Sequence, residues 1–201
     1  MALDAYLGRR GSLLEETPEH AELVQIAHPL LTADEIASLR KIDDPPHRAV
    51  TLSALFDPRG GAAALERALD DLVAAAIHAV DQRNTILILS DRGTDGEHAP
   101  IPMLLAVGAV HHGLIRANRR TDADVVAETA EAWDVHQIAC LIGYGASAVH
   151  PYLALESIVR LTEGLGIENL DAVRALKNYK KAVSDGLLKI MSKMGISTLT
   201  S

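Results

Sequence analysis

Three ionisable residues close β-prone runs in this sequence: Asp91 follows TILILS, Glu128 ends DVVAE, and His150 ends a short run from Ala148. Two carboxylates and an imidazole brought together would supply ligands for a metal ion, or an acid and a base for proton transfer. Ser90 and Arg92, on either side of Asp91, would add a hydroxyl and a guanidinium. The same residues have a plain structural use. Asp91 and Arg92 can pair or cap a loop, Glu128 can face water, and His150 precedes a proline. Spacing along the chain fixes no mutual geometry, so the elements that carry these groups decide between the readings.

Other patterns are weaker. Gly143, Gly145 and Ala148 have the G-x-G-x-x-A spacing of a dinucleotide-binding turn, which needs a strand before it and a helix after it. Here a helix precedes and a strand follows, so the glycines end a helix and turn the chain. His111 and His112 lie in one helix, where neighbours point about 100° apart and cannot share an ion. One packs and the other meets solvent. His136 and Cys140, four apart on one helix face, are a two-ligand set without a second pair, which favours a packed thiol over a zinc site. Lys177, Lys180, Lys181, Lys189 and Lys193 recur down the last helix and read as its solvated face, with an acidic partner as the alternative.

The positioning elements follow from caps and periodicity. Thr17-Pro18-Glu19 starts a helix expected to run to about Ile26, and the capping box Thr32-x-x-Glu35 starts a second that Asp43-Asp44-Pro45-Pro46 stops. From Ala49 the texture changes. AVTLSAL, TILILS, DVVAE and the run around Ala148 to His150 read as strands, and the helices after them start near Ala62, Ile101, Trp133 and Tyr152. The unbroken Ile-Leu-Ile-Leu of the second strand indicates burial on both faces, as in a parallel sheet. A last helix over Leu170 to Met194, with Asp185-Gly186 as the place for a break, leads to the β-prone tail ISTLT. Four βα units with right-handed crossovers resemble half of an eight-fold TIM-like barrel. The fold class is α/β, with an N-terminal helical lead-in over residues 1–48 and the βα repeat over residues 49–201.

Composition narrows the function. The chain has 201 residues and a net charge of −8, which offers no cationic surface for nucleic acid or anionic membranes. One cysteine excludes an internal disulfide and suits the cytoplasm, and no apolar run approaches membrane length.

The strings LLEETPEHAELVQIAHPLLT, ILILSDRG, APIPMLLAVGAVHHGLIRA, LIGYGASAVHPYLALESI and KNYKKAVSDGLLKIMSKMGISTL together resemble the central domain of the glutamate synthase large subunit. The resemblance spans nearly the whole chain. It departs from the family pattern at Gly113, where a third consecutive histidine is common, at Gln137, where a second histidine often follows, and at His150, where asparagine is usual. The resemblance implies a parent enzyme that hydrolyses glutamine in an amidotransferase domain, passes ammonia through a tunnel, and reduces 2-iminoglutarate at FMN beside an iron–sulfur cluster. It implies a non-catalytic central domain that links the two sites, with no cofactor, metal or catalytic residue of its own. The amidotransferase and FMN domains of the parent chain would be its partners. On this reading the chain is a fragment. The alternative is a free-standing half-barrel enzyme or metal binder using Asp91, Glu128 and His150. A half barrel leaves sheet edges and an aliphatic concave face open, so a homodimer or larger oligomer is expected unless the N-terminal segment folds over that face. AVTLSAL and ISTLT are the expected edges.

Overall fold

The structure, a computed structural model, describes residues 1–12, 14, 17–44, 46–165 and 170–201. Ala5–Leu7 (β1) and Val24–Ile26 (β2) form an antiparallel ribbon in which Tyr6 faces Gln25. The helix expected from Thr17 is only a single 3-10 turn, Pro18–Ala21, and Val24 to Ile26 is strand instead. Residues 19–22 are Glu, His, Ala and Glu, with no apolar stripe to bury, whereas the flanking Val24 and Ile26 suit a pleated ribbon.

The Thr32 capping box forms as its spacing requires. Thr32 Oγ1 accepts from the Glu35 N–H, and the Glu35 carboxylate accepts from the Thr32 N–H at 2.7 Å, starting α1 (Ala33–Arg40). The helix stops before the Asp43 to Pro46 signal, of which Pro45 lies outside the described residues. Asp43–Asp44 (β3) pairs antiparallel with the start of His47–Ser53 (β4).

Then the repeat begins. Leu55–Phe56 (β5) leads through a 3-10 turn at Pro58–Gly60 into α2 (Gly61–Asp81), then Ile86–Ser90 (β6). Ala99–Pro100 (β7) pairs with β5 and precedes α3 (Met103–Arg116). Asp124–Glu128 (β8), α4 (Val135–Gly143), Ala146–His150 (β9), α5 (Tyr152–Leu165) and α6 (Ala172–Met194) complete the chain. The main sheet has the order β3-β4-β6-β8-β9, and its last four strands are parallel. The result is a partial TIM-like barrel of four βα units.

Alternation along the strands separates two cores. Leu87, Leu89, Val125, Ala127 and Val149 point to the helices, where Val107, Val110, Leu114 and Ile138 meet them. Ile86, Ile88, Val126 and Ala148 point the other way, onto Leu7, Leu31, Ile36 and Leu39. The N-terminal segment therefore fills the concave face of the half barrel. It also extends the sheet: Val149 N–H donates to Pro29 O at 2.7 Å and Leu31 N–H to Val149 O at 2.9 Å.

Two sequence expectations at the C-terminus are corrected. α6 runs unbroken through Gly186, where a Cβ would meet Val135 Cγ1 at 2.6 Å, so this glycine serves the approach of α6 to α4 rather than a break. The tail ISTLT is not a sheet edge. Gly195, at φ +73°, caps α6 in the left-handed conformation and turns the chain back, leaving Thr198 a lone bridge to Ala2. The parallel sheet ends on β4, as expected, and on β9.

Candidate functional site

The register of the parallel strands aligns Ser53, Ser90, Glu128 and His150 in one row across their C-terminal ends. Alternation places Ser90 and Glu128 on the concave face with Ile88 and Val126. In βα barrels this end carries the chemistry, because the loops converge there. The structure thus brings Glu128 and His150 together, with Asp91 one residue beyond the row.

Glu128 is fully buried, and both of its carboxylate oxygens accept hydrogen bonds. Oε2 accepts from Arg40 Nη2 and, at 2.5 Å, from Ser90 Oγ, while Oε1 accepts from Arg92 Nε at 2.9 Å. Burial alone would raise its pKa. The Ser90 and Arg92 hydrogen bonds and the Arg40 guanidinium outweigh burial and hold the carboxyl below its ordinary value. In this row, Arg40 is the residue that sequence reasoning missed. It comes from the last turn of α1, 88 positions away, and nothing near Arg40 in the sequence marks Glu128 as its partner.

Asp91 does different work. Its Oδ2 accepts from Thr129 Oγ1 at 2.6 Å and from Ala130 N–H at 3.0 Å, so it fastens the loop after β8 to the loop after β6. Arg92 reaches on to Glu156 at 3.2 Å and lies 3.9 Å over the ring of Tyr152. Burial, then the neighbouring Asp91 carboxylate, push the Tyr152 phenol well above its ordinary value. His150 is 1% exposed, with Nδ1 2.8 Å from Leu31 O and Nε2 4.0 Å from Glu128 Oε1. Desolvation lowers its pKa, so the ring is held neutral. The row is an ion-paired clasp. Glu128 and Asp91 are each taken up by donors of the protein, and no set of three metal-ligating side chains occurs among the described residues.

The other candidates resolve as packing or as solvated surface. His111 Nδ1 accepts from Arg120 Nε at 3.0 Å and His112 is exposed. Cys140 Sγ lies 3.7 Å from His136 Nε2, a contact within one helix. Lys177, Lys181, Lys189 and Lys193 are exposed, and Lys180 reaches Glu35 at 3.2 Å. Gly143 ends α4, and Gly145 follows at φ +119°, where a Cβ would strike His111 Nδ1 at 2.4 Å. Of the departing positions, Gly113 lets α3 approach Val73, and Gln137 closes a capping box with Asp134.

A histidine–serine pair not foreseen from the sequence joins His28 to Ser184. Leu30 N–H donates to His28 Nδ1 at 3.0 Å, so Nε2 carries the proton and donates to Ser184 Oγ. Ser184 in turn donates to Lys180 O at 2.7 Å. The ring takes no proton from the hydroxyl, and the pair is not an activated nucleophile.

A family model described as glutamate synthase central domain matches residues 1–201. Similar proteins include ferredoxin-dependent glutamate synthase 2 of Synechocystis sp., 44% identical over 100% of this chain and 14% of that protein. The chloroplastic ferredoxin-dependent glutamate synthase of Spinacia oleracea is 44% identical over 100% of this chain and 13% of that protein. Glutamate synthase [NADH] of Schizosaccharomyces pombe is 35% identical over 100% of this chain and 10% of that protein. The chain thus spans a small part of these relatives. In fold it is similar to the recombinant flavin-binding domain of baker's yeast flavocytochrome b2, with TM-score 0.51 and 14% identity over 87% of this chain and 37% of that one.

Proposed function

The chain belongs to the glutamate synthase central domain family, and from that premise we propose that it serves a larger glutamate synthase as a non-catalytic module. It holds the glutamine amidotransferase site and the FMN synthase site in register and forms part of the wall of the ammonia path for glutamate biosynthesis. The amidotransferase and FMN domains of the parent chain are its partners, and the cytoplasm its compartment. No described helix is long and apolar enough to cross a membrane.

The observation that carries this reading is the state of Glu128. At the end of the sheet where a βα barrel does its chemistry, the buried carboxylate is clasped by Arg40, Arg92 and Ser90. The concave face below it is filled by the N-terminal segment. We read the parent enzyme's cofactors as held outside this chain. A cluster held by several cysteines cannot use Cys140 alone. Arg40, from the last turn of α1, already holds Glu128 at the C-terminal ends of the strands.

Calorimetric titration of this chain with FMN, 2-oxoglutarate and glutamine should show no specific binding, and micromolar binding of any one would sink the non-catalytic reading. Channelling has its own test. A Synechocystis enzyme carrying this segment in place of its own should pass ammonia to 2-oxoglutarate without releasing it. Glutamine hydrolysis with ammonia escaping to the medium would overturn the channel.

A further inference from the structure

We propose that the gap between His150 Nε2 and Glu128 Oε1 is a binding site for one small neutral molecule with two N–H or O–H donors, that is, water or ammonia. The tautomer comes first. His150 Nδ1 lies 2.8 Å from the carbonyl oxygen of Leu31, and a carbonyl only accepts, so Nδ1 carries the proton. The neutral ring then presents a bare lone pair at Nε2. That nitrogen is sealed from solvent and has no hydrogen-bond partner among the described residues.

What Nε2 faces is another acceptor. Glu128 Oε1 stands 4.0 Å away, itself buried. Two lone pairs opposed in a dry interior repel, and an unsatisfied buried acceptor carries its full desolvation penalty. Either a proton on Nε2 or a donor molecule between the two atoms removes the conflict. Of the groups around the ring, burial comes first in opposing the proton, and the Arg92 and Arg40 guanidiniums add to it. The Leu31 carbonyl and the Glu128 carboxylate favour it and are outweighed. A bridging molecule remains. Two hydrogen bonds of about 2.8 Å span the gap when they meet at roughly 90°, close to the angle between the two donors of water or ammonia.

The chemistry of the site selects within that class. The two guanidiniums that already compensate Glu128 disfavour a further cation, so ammonium is rejected and its neutral conjugate accepted. The bridging site rests on the geometry of the two facing acceptors, with the neutral state of the buried ring in support. That ammonia is among its occupants rests on the proposed channelling role.

Histidine-labelled NMR of the whole chain tests both parts, with the His150 signals assigned through their loss in His150→Asn. Near neutral pH the ring should be the neutral Nδ1–H tautomer, and its C–H protons should cross-relax with a long-lived water. Glu128→Gln, whose amide can donate directly to Nε2, should abolish the water signal. If that variant does not fold, the wild-type signal decides alone. An imidazolium at neutral pH, or a neutral ring with no bound-water signal, would overturn the site. For the second part, total ammonia is held constant while pH is raised. The Nε2 resonance should shift as neutral ammonia accumulates, beyond the shift in matched sodium chloride. A bound water that ignores ammonia would overturn ammonia as occupant and leave the site as a water site.

Discussion

Asp124 and Glu128 stand at the two ends of the same five-residue strand, both buried, and each draws an arginine from the first forty residues. Arg10 reaches Asp124 at 3.3 Å, where Gly8 N–H also donates at 3.0 Å, and Arg40 closes on Glu128 at the other end. β8 is thereby stapled to the N-terminal segment top and bottom, with Leu7, Leu31, Ile36 and Leu39 packed between the staples. Removing one partner of a buried pair costs roughly 3 to 5 kcal/mol where the other is left uncompensated. Arg92 and Ser90 remain on Glu128, so Arg40→Ala should cost less, about 1 to 3 kcal/mol. Urea unfolding measures this, and a change below a few tenths of a kcal/mol would mean that the clasp is not formed in solution.

Leu87 lies in β6 with no exposed surface, packed against the helix layer. Leu87→Ala should cost about 2 to 5 kcal/mol, the range for a leucine truncated in a core that cannot collapse around the cavity. A variant that melts within a degree or two of the parent would contradict a central position for this strand.

The repeat was legible because its signals are local. TILILS reads as doubly buried from four consecutive apolar residues, and the Thr32 box forms as its spacing predicts. What could not be read is long-range. The clasp on Glu128 joins Arg40, Ser90 and Arg92 from α1 and the end of β6, and no local pattern encodes that meeting. The sequence placed Asp91, Glu128 and His150 at strand ends correctly, yet left their charge state open, because it depends on which cations arrive. The turn at Pro18 illustrates the converse limit. A good cap starts a helix only if an apolar face follows, and here β1 competes successfully for Val24 and Ile26.

Gly143 and Gly145 should respond in opposite ways to alanine. Gly143 is the last residue of α4 with open space around its Cα, so Gly143→Ala should be neutral or stabilise by up to about 1 kcal/mol. Gly145 combines φ +119° with a contact on His111 that leaves no room for a Cβ. Its alanine variant should lose at least the roughly 1 to 3 kcal/mol of a residue forced into a sparse backbone region. Equal losses at both positions would instead point to a ligand read by the whole G-x-G turn.

Acid stability should fall in two stages. Burial, as the first cause, lowers the pKa values of His28, His111 and His150 in the folded chain. Between those lowered values and the ordinary value of about 6.5, the unfolded chain binds more protons, so stability rises with pH across this window and is lost on acidification. Glu128 acts lower down. Its hydrogen bonds and ion pairs outweigh burial and depress its pKa, so its contribution is present above the ordinary carboxylate value of about 4.3 and is lost as pH falls through the folded value. Melting temperatures across the acid range should show a slope beginning near pH 6.5, partly flattened in His150→Asn. A flat profile down to the carboxylate range would mean that these rings are not buried in their neutral form.

Self-association is the last test, and the structure changes its expected strength. The concave face that would have driven a dimer is covered by Leu7, Leu31, Ile36 and Leu39, and β9 is bridged by residues 29–31. One edge stays open. β3 pairs only with His47 and Arg48, so the outer side of β4 from Val50 to Ser53 has no strand partner among the described residues. Two copies related by a two-fold axis can pair along that edge, each supplying the backbone groups the other lacks. The contact is short, and Asp43 and Asp44 beside it, with a net charge of −8 per chain, oppose it. A weak, reversible dimer is therefore expected, strengthened by salt as the repulsion is screened. Light scattering after size exclusion should give masses rising above the 21.5 kDa chain mass as concentration and salt increase. The monomer mass at every concentration would refute pairing at β4, and a tight dimer at the lowest concentration would place the interface on some other surface.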